Sequence, residues 1–208
     1  MKHWIFISLV FASSIAFATQ DVELGCKHLR VVLDARLSPD VVEHDWGSGN
    51  PRSETPAKLE LIGCEGQLLD RLVLDAPLAQ LDPIPIRGAP NPTYLVSTDL
   101  TAEAGSYNGP LTIPIQVIRD HLIAAVARFA DKHIVPIHLA LTGKASWRRV
   151  SHHNGDNLFS VSCQPKRHGF VTFYRHYFLS HQEWKVKVRK RDGLWESDGE
   201  FPSRNAFP

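Results

Sequence analysis

The strongest constraint on the fold is a period-two alternation of apolar and polar residues in short segments. The clearest case is the segment 184–189, in which apolar and basic residues take turns: Trp184, Lys185, Val186, Lys187, Val188, Arg189. Successive side chains of a β-strand point to opposite faces of a sheet, so such a segment buries one face and exposes the other. The same pattern recurs at 59–61, 111–117, 135–141, 159–163 and 171–176, and 94–98 predicts a further short strand.

Turn-forming residues separate these segments. The 13 glycines and 14 prolines are spread in small clusters, of which 47–56 and 82–92 are the longest irregular stretches and predict surface loops. Gly63-Cys64-Glu65-Gly66 predicts the turn of a hairpin that returns through 67–75. Together these signals predict a mostly β domain, an antiparallel sandwich or open barrel of roughly eight to eleven short strands and hairpins.

Residues 120–131 fit two structures. Leu122, Val126 and Phe129 could line one face of a short helix capped by Asp120, which would make the domain α+β. The same residues could form a strand that returns from Ile118 through a turn. Because strands with short connections flank the segment on both sides, the hairpin is the favoured interpretation.

The first 18 residues predict a cleavable secretory signal peptide. A positive start at Lys2 precedes an uncharged apolar run, and Ala16-Phe17-Ala18 supplies the small-x-small pattern of a cleavage site. The apolar run is shorter than the about 20 residues that cross a bilayer, which argues against a membrane anchor. We therefore expect 1–18 to be removed and 19–208 to form a single β-rich domain, periplasmic or secreted, with no transmembrane segment.

In an exported chain, the three cysteines are candidates for a disulfide, because disulfides persist in oxidising compartments. Since three is odd, at most one internal bridge forms. Cys26 lies near the start of the exported part and is free to reach either Cys64 or Cys163. We favour the pair Cys26–Cys64; three reduced and buried thiols are the alternative. The spacing fits no zinc-finger pattern.

Charge is divided along the exported part of the chain. Residues 19–143 carry 10 Lys/Arg against 16 Asp/Glu, whereas 144–208 carry 12 against 6. The basic end includes a candidate binding strand with its following turn, which consists of Lys185, Lys187, Arg189, Lys190 and Arg191. Such a strand suits a protein partner or an anionic envelope component, whereas nucleic acid is an improbable target for an exported chain of balanced charge. An edge strand that lysines protect from aggregation is the alternative.

Two further groups are candidate sites. The loop 99–110 presents polar residues with two glycines and predicts a ligand-binding loop through Asp99, Ser106, Tyr107 and Asn108, or an ordinary connection. Five histidines lie within thirty residues of chain and are candidate transition-metal ligands: His152, His153, His168, His176, His181. No compact metal motif joins them, so we expect no cofactor unless the fold gathers several of them.

Catalytic motifs are missing from the sequence. There is no G-x-S-x-G elbow, no Ser-x-x-Lys and no P-loop. The leading hypothesis is therefore an exported, non-enzymatic binding protein, for example an immunity or inhibitor protein, that engages a protein or an anionic envelope partner. The alternatives are a metal-dependent hydrolase of the envelope that uses the histidines, and a structural accessory of an envelope assembly.

Overall fold

A computed structural model describes residues 21–33, 55–98, 107–197 and 200–208; the predicted signal segment lies outside these ranges. The described residues are mostly β, with fifteen strands and one short 3-10 turn at Arg204–Ala206. This confirms the predicted fold class, a sandwich of short strands and hairpins, and none of the described sheets closes into a barrel. There are more strands than predicted because several are only two to four residues long.

The strands form three sheets. The first sheet is antiparallel and contains β1 (Asp21–Leu24), β2 (Lys27–Val32), β3 (Lys58–Ile62) and β4 (Leu68–Val73). The second contains β5 (Ala79–Leu81), β6 (Thr93–Thr98), β7 (Leu111–Ile118), β8 (His121–Ala124) and β11 (Leu139–Ala140). The third has the order β10-β9-β15-β14-β13-β12 and contains β9 (Val126–Arg128), β10 (Ile134–Pro136), β12 (Ala145–His152), β13 (Gly155–Pro165), β14 (Phe170–Ser180) and β15 (Glu183–Asp192).

The second sheet lies between the other two, with a hydrophobic core on each side. Strand β6 shows this directly, because Tyr94 and Val96 enter the first core whereas Leu95 enters the second. The first core joins the first and second sheets through residues that include Leu29 and Leu59. The second core joins the second and third sheets through Ile137, Leu139, Leu158, Tyr177, Trp184 and Val186. A strand buried on both faces reads as a continuous apolar run, as Tyr94-Leu95-Val96 does.

The segment 120–131 is extended, so the helix of the α+β alternative is wrong and the favoured hairpin is confirmed. The chain turns at Arg119 and Asp120, and β8 returns along β7 with His121 opposite Ile118. Arg119 adopts φ 57°, the left-handed conformation that a tight turn requires. The chain then leaves the second sheet, and β9 pairs with β10 and β15 in the third. Two sheets therefore share the segment, which fixes its extended form.

The predicted disulfide is present between Cys26 and Cys64, with Cα atoms 4.8 Å apart. Strands β2 and β3 pair so that His28 lies opposite Ile62. Continuing the same register by two residues brings Cys26 opposite Cys64, at the turns that end the two hairpins. Cys163 is reduced and buried in β13. The disulfide ties together the two hairpins of the first sheet.

A buried carboxylate anchors the loop 82–92 to the third sheet. Asp156 is the second residue of β13 and accepts hydrogen bonds from Arg149 Nε at 2.8 Å, Ser151 Oγ at 2.7 Å and the backbone N–H of Arg87 at 2.9 Å. Burial by itself raises the pKa of Asp156, but these hydrogen bonds and the Arg149 charge outweigh it and lower the pKa. A buried carboxylate is tolerated where hydrogen bonds and a neighbouring positive charge replace its contacts with water, as they do here. The carboxylate thus links the predicted surface loop to the sheet that carries the candidate site.

Candidate functional site

Strand β15 presents its basic residues on the face of the third sheet that points away from the second core, here called the outer face. Trp184 and Val186 are buried in that core, so Lys185, Lys187 and Arg189 lie on the outer face, as the alternation predicts. Lys190 and Arg191 were expected to extend the positive charge into the turn at Asp192-Gly193. They lie in the strand, because the ladder with β14 continues to Asp192. Arg191 joins the outer face and Lys190 faces the other way.

Aromatic residues of β14 lie beside these cations. In the ladder, Phe178 is opposite Lys185, His176 is opposite Lys187, and Tyr174 is opposite Arg189. The ammonium of Lys187 lies 5.5 Å from the centroid of the Phe178 ring, and the guanidinium of Arg191 lies 5.7 Å from that of Tyr174. Both distances suit cation–π interactions. The outer face is therefore a mixed aromatic and cationic surface.

The chain segment 200–208, here called the tail, covers one half of the outer face. Phe207 is 3% exposed and meets Phe159 and Tyr174 edge to face, with centroids 5.1 and 5.6 Å apart. Arg189 Nη1 donates hydrogen bonds to the backbone carbonyls of Asn205 and Ala206 at 2.7 and 3.0 Å. We call Phe159, Tyr174 and Arg189 with their surroundings the covered half. Of the predicted basic strand, Arg189 is thus already engaged within the molecule.

The other half of the outer face opens into a groove of about 500 Å³ between β15 and the turn that joins β9 to β10. Its floor is apolar and consists of Ala130 and Phe178 together with Phe129 and Val186, which reach it from the second core. Charged residues line the rest of it: Arg128, Lys132, Glu183, Lys185, Lys187. We call this set of nine residues the groove. It combines an apolar floor with four cations and one carboxylate.

The single carboxylate of the groove is shared. Glu183 accepts a hydrogen bond from Lys185 Nζ at 2.7 Å and lies 3.4 Å from Arg128 Nε. The hydrogen bond from Lys185 and the positive charges of Lys185 and Arg128 lower the pKa of Glu183, so it stays ionised. Lys132 and Lys187 form no ion pair with any described residue. The groove therefore carries an excess of positive charge at neutral pH.

The five histidines do not gather into one site. His152, His153 and His176 line a shallow cleft with Phe178 and Arg204. His168 lies in the turn after β13, at the opposite end of the strands from His152, and His181 lies in the turn after β14. Among the described residues, no three His, Cys, Asp or Glu side chains are grouped closely enough to hold a metal ion.

His176 is held as a neutral side chain inside the sheet. Its Nε2 lies 2.8 Å from Asn157 Oδ1, and its ring stacks on Phe159 with centroids 4.5 Å apart. Burial lowers the pKa of His176 to about 4, and the charges of Arg204 and Lys187 act in the same direction, against a backbone contact with Pro208. The neighbouring cations therefore favour the neutral ring, which packs between the covered half and the groove.

The predicted loop site stands apart from the basic strand. Asp99 and Ser106 lie outside the described residues. Tyr107 and Asn108 are exposed, and they precede Pro110, whose carbonyl accepts a hydrogen bond from the Leu141 amide at 2.8 Å. This places them next to β7 in the second sheet, whereas β15 belongs to the third. The loop with Tyr107 and Asn108 and the basic strand β15 therefore belong to two separate surfaces of the protein.

Sequence reasoning missed Arg128, Phe129, Lys132 and Phe178. The positions of the first three depend on the parallel pairing of β9 with β15, in which Arg128 lies opposite Lys185, whereas Phe178 is placed by the β14–β15 ladder. Asp131 is a residue type that favours turns, and in the structure its Oδ1 accepts a hydrogen bond from the His133 amide. No local signal, however, indicates which strand a turn will lie beside.

Comparison with known proteins does not assign the chain to a family. No protein-family model, no curated protein and no solved structure matches the chain. A search of the described residues for a bilayer-spanning helix found none with the required length and apolar character.

Proposed function

We propose that this protein is an exported, non-enzymatic binding protein that engages an anionic partner, a protein or an envelope component, through the groove. The observation that carries the proposal is the placement of four cations, Arg128, Lys132, Lys185 and Lys187, around an apolar floor, against a single carboxylate in the groove. The signal-like start of the sequence and the Cys26–Cys64 disulfide support export.

The groove suits a ligand that is anionic at its edge and apolar in its middle. Lysine is a compact, strongly hydrated point charge that pairs with carboxylate or phosphate oxygens. Lys132 is exposed and Lys187 lies over Phe178, and neither has a carboxylate partner in the described part of the chain. An apolar group that covers Phe129 and Phe178 removes water from the floor and strengthens the charged contacts at the rim.

The test measures binding of the purified protein to anionic and neutral probes. The probes are poly-glutamate, vesicles that contain phosphatidylglycerol, and phosphatidylcholine vesicles as the neutral reference. We expect binding to at least one anionic probe that weakens as salt is added, because rim charges are screened. Lys187→Glu should weaken this binding by about tenfold, since it replaces an attraction by a repulsion.

Arg119→Glu is the matched control. It makes the same change of charge at an exposed turn of the second sheet, so its effect should stay below about twofold. Equal losses in the two variants would mean that net charge, not the groove, drives binding. No preference for anionic over neutral probes would contradict the proposed function itself.

A further inference from the structure

The second half of β15 is an open sheet edge. On one side, β15 pairs with β14 along its whole length, from Glu183 to Asp192. On the other side, β9 reaches only as far as Lys185. In the described ranges, no strand pairs with β15 beyond that point. The edge 188–192 begins where the groove ends, at Lys187.

The phase of the β14–β15 ladder shows which backbone groups are open. The amide of Gly193 donates to the carbonyl of Phe170 at 3.0 Å, and the two residues continue the register of the strands. Antiparallel strands exchange hydrogen bonds at every second pair, so Arg191, Arg189 and Lys187 are bonded to β14. The amides and carbonyls of Val188 and Lys190 therefore point away from β14, and they have no backbone partner among the described residues.

The open edge is basic on both of its faces. Lys187, Arg191 and the tail-bound Arg189 lie on the outer face, and Lys190 lies on the other, 5.3 Å from the Phe173 ring centroid. The edge carries one carboxylate, Asp192, which accepts a hydrogen bond from Lys166 Nζ at 2.5 Å. A second copy of the chain is disfavoured as the occupant, because edge-to-edge pairing would bring these cations against one another.

We infer that the anionic partner is a protein that supplies an extended acidic segment, which pairs with β15 at 188–192 as an additional strand. The inference rests on the proposed function and adds a partner class and a binding mode to it. Backbone hydrogen bonds to Val188 and Lys190 supply affinity, and the flanking cations select carboxylates over other side chains. Residues of the partner that precede or follow the strand continue into the groove, since the edge and the groove adjoin at Lys187.

The primary test is amide hydrogen exchange on the whole protein with a short acetylated and amidated peptide of alternating Glu and Thr. At near-saturating peptide, exchange of the Val188 and Lys190 amides should slow by about tenfold, because strand pairing protects them. The amides of Arg189 and Arg191 already bond to β14 and serve as internal controls that should change little. Slower exchange that is equal at all four positions would overturn strand pairing.

Two matched pairs separate backbone pairing from charge. The first pair is the peptide and the same peptide with alternate amides N-methylated, which keeps its charge and loses its donors. The second pair is Lys190→Pro, which removes an open amide without breaking a bond to β14, and Lys190→Gln, which removes only the charge. We expect the methylated peptide and Lys190→Pro each to weaken binding by roughly tenfold, and Lys190→Gln by less than about threefold.

The outcomes also separate this inference from the proposed function. Equal binding of the methylated peptide overturns the added strand, and the groove remains the binding site. Binding to phosphatidylglycerol vesicles that is sensitive to Lys187→Glu, without binding of either peptide, identifies a lipid partner and overturns the inference alone. Failure of every anionic probe overturns both.

Discussion

The covered half and the groove are two parts of one sheet face, built from aromatic rings and cations, but they differ in the kind of cation. The covered half uses arginine: Arg189 binds two tail carbonyls, and the guanidinium of Arg148 lies 4.7 Å from the centroid of the Phe201 ring. The groove relies mainly on lysine, at positions 132, 185 and 187. The planar guanidinium stacks on rings and reaches neutral carbonyls, whereas the ammonium stays hydrated until an anion replaces the water.

This difference teaches what each half is suited to hold. The tail supplies aromatic rings and backbone carbonyls, and the arginine-rich half binds them within the fold. The lysine-rich half has no such segment on it among the described residues, and its net positive charge favours an anionic occupant. The tail therefore serves as an internal example of a chain segment bound to this face.

The largest expected difference between the halves is in stability. Phe207→Ala removes a buried ring of the covered half and should lower the free energy of unfolding by about 3 kcal/mol, because it empties a packed site. Phe178→Ala, in the partly buried floor of the groove, should cost less than about 1 kcal/mol. Denaturant unfolding of both variants measures the difference. Equal losses would mean that the groove is as much a part of the core as the covered half.

A pH dependence of intermediate size is expected from His176, at the border of the two halves. Its native pKa of about 4 lies below the ordinary value of 6.5, so the unfolded chain binds the proton more readily than the native one. Stability is full above pH 6.5 and falls as the pH drops towards 4, by roughly 2 kcal/mol. Unfolding free energies at about pH 7 and about pH 4.5 should differ less in His176→Gln than in the wild type. An unchanged difference would exclude His176 as the cause.

The smallest expected difference concerns the two cations themselves. Arg189→Ala leaves the Asn205 and Ala206 carbonyls without their donor and should destabilise the protein by about 1 kcal/mol. Lys187→Ala changes an exposed side chain and should alter stability by less than about 0.5 kcal/mol. Thermal unfolding of the pair at equal ionic strength provides the measurement. A larger loss in Lys187→Ala than in Arg189→Ala would reverse the distinction between a structural and a free cation.

Much of the fold was predictable where the determining signal is local. The alternation at 184–189 correctly assigned the faces of β15, and the Gly63–Gly66 turn correctly placed the β3–β4 hairpin. The segment 120–131 was harder, because an Ala-rich run with Leu122, Val126 and Phe129 fits either period. Pairing of β8 with β7 and of β9 with β15 decided it. Very short strands such as β11 carry too few residues for any period to show.

The candidate site was only half predictable. Lys185 and Lys187 follow from the alternation, but their neighbours Phe129 and Lys132 come from a distant part of the sequence. The sequence cluster of histidines does not become a spatial cluster. Residues close in sequence, such as His168 and His176, lie far apart along the sheet because the chain is extended there. Residues that are only a few positions apart on one extended strand lie far apart in space, since each residue advances about 3.3 Å.

The sequence alone determined the β class and the inward and outward residues of the long strands, and it favoured the Cys26–Cys64 pair that the structure contains. A strand's pleat has a period of two, so a few residues suffice to show which face is buried. Only the tertiary structure decided that the tail occupies Arg189, that the pairing of β9 with β15 ends at Lys185, and that no described strand pairs with β15 beyond that point. These features depend on contacts between segments far apart in the chain, and they follow from the packing of three sheets rather than from any local preference.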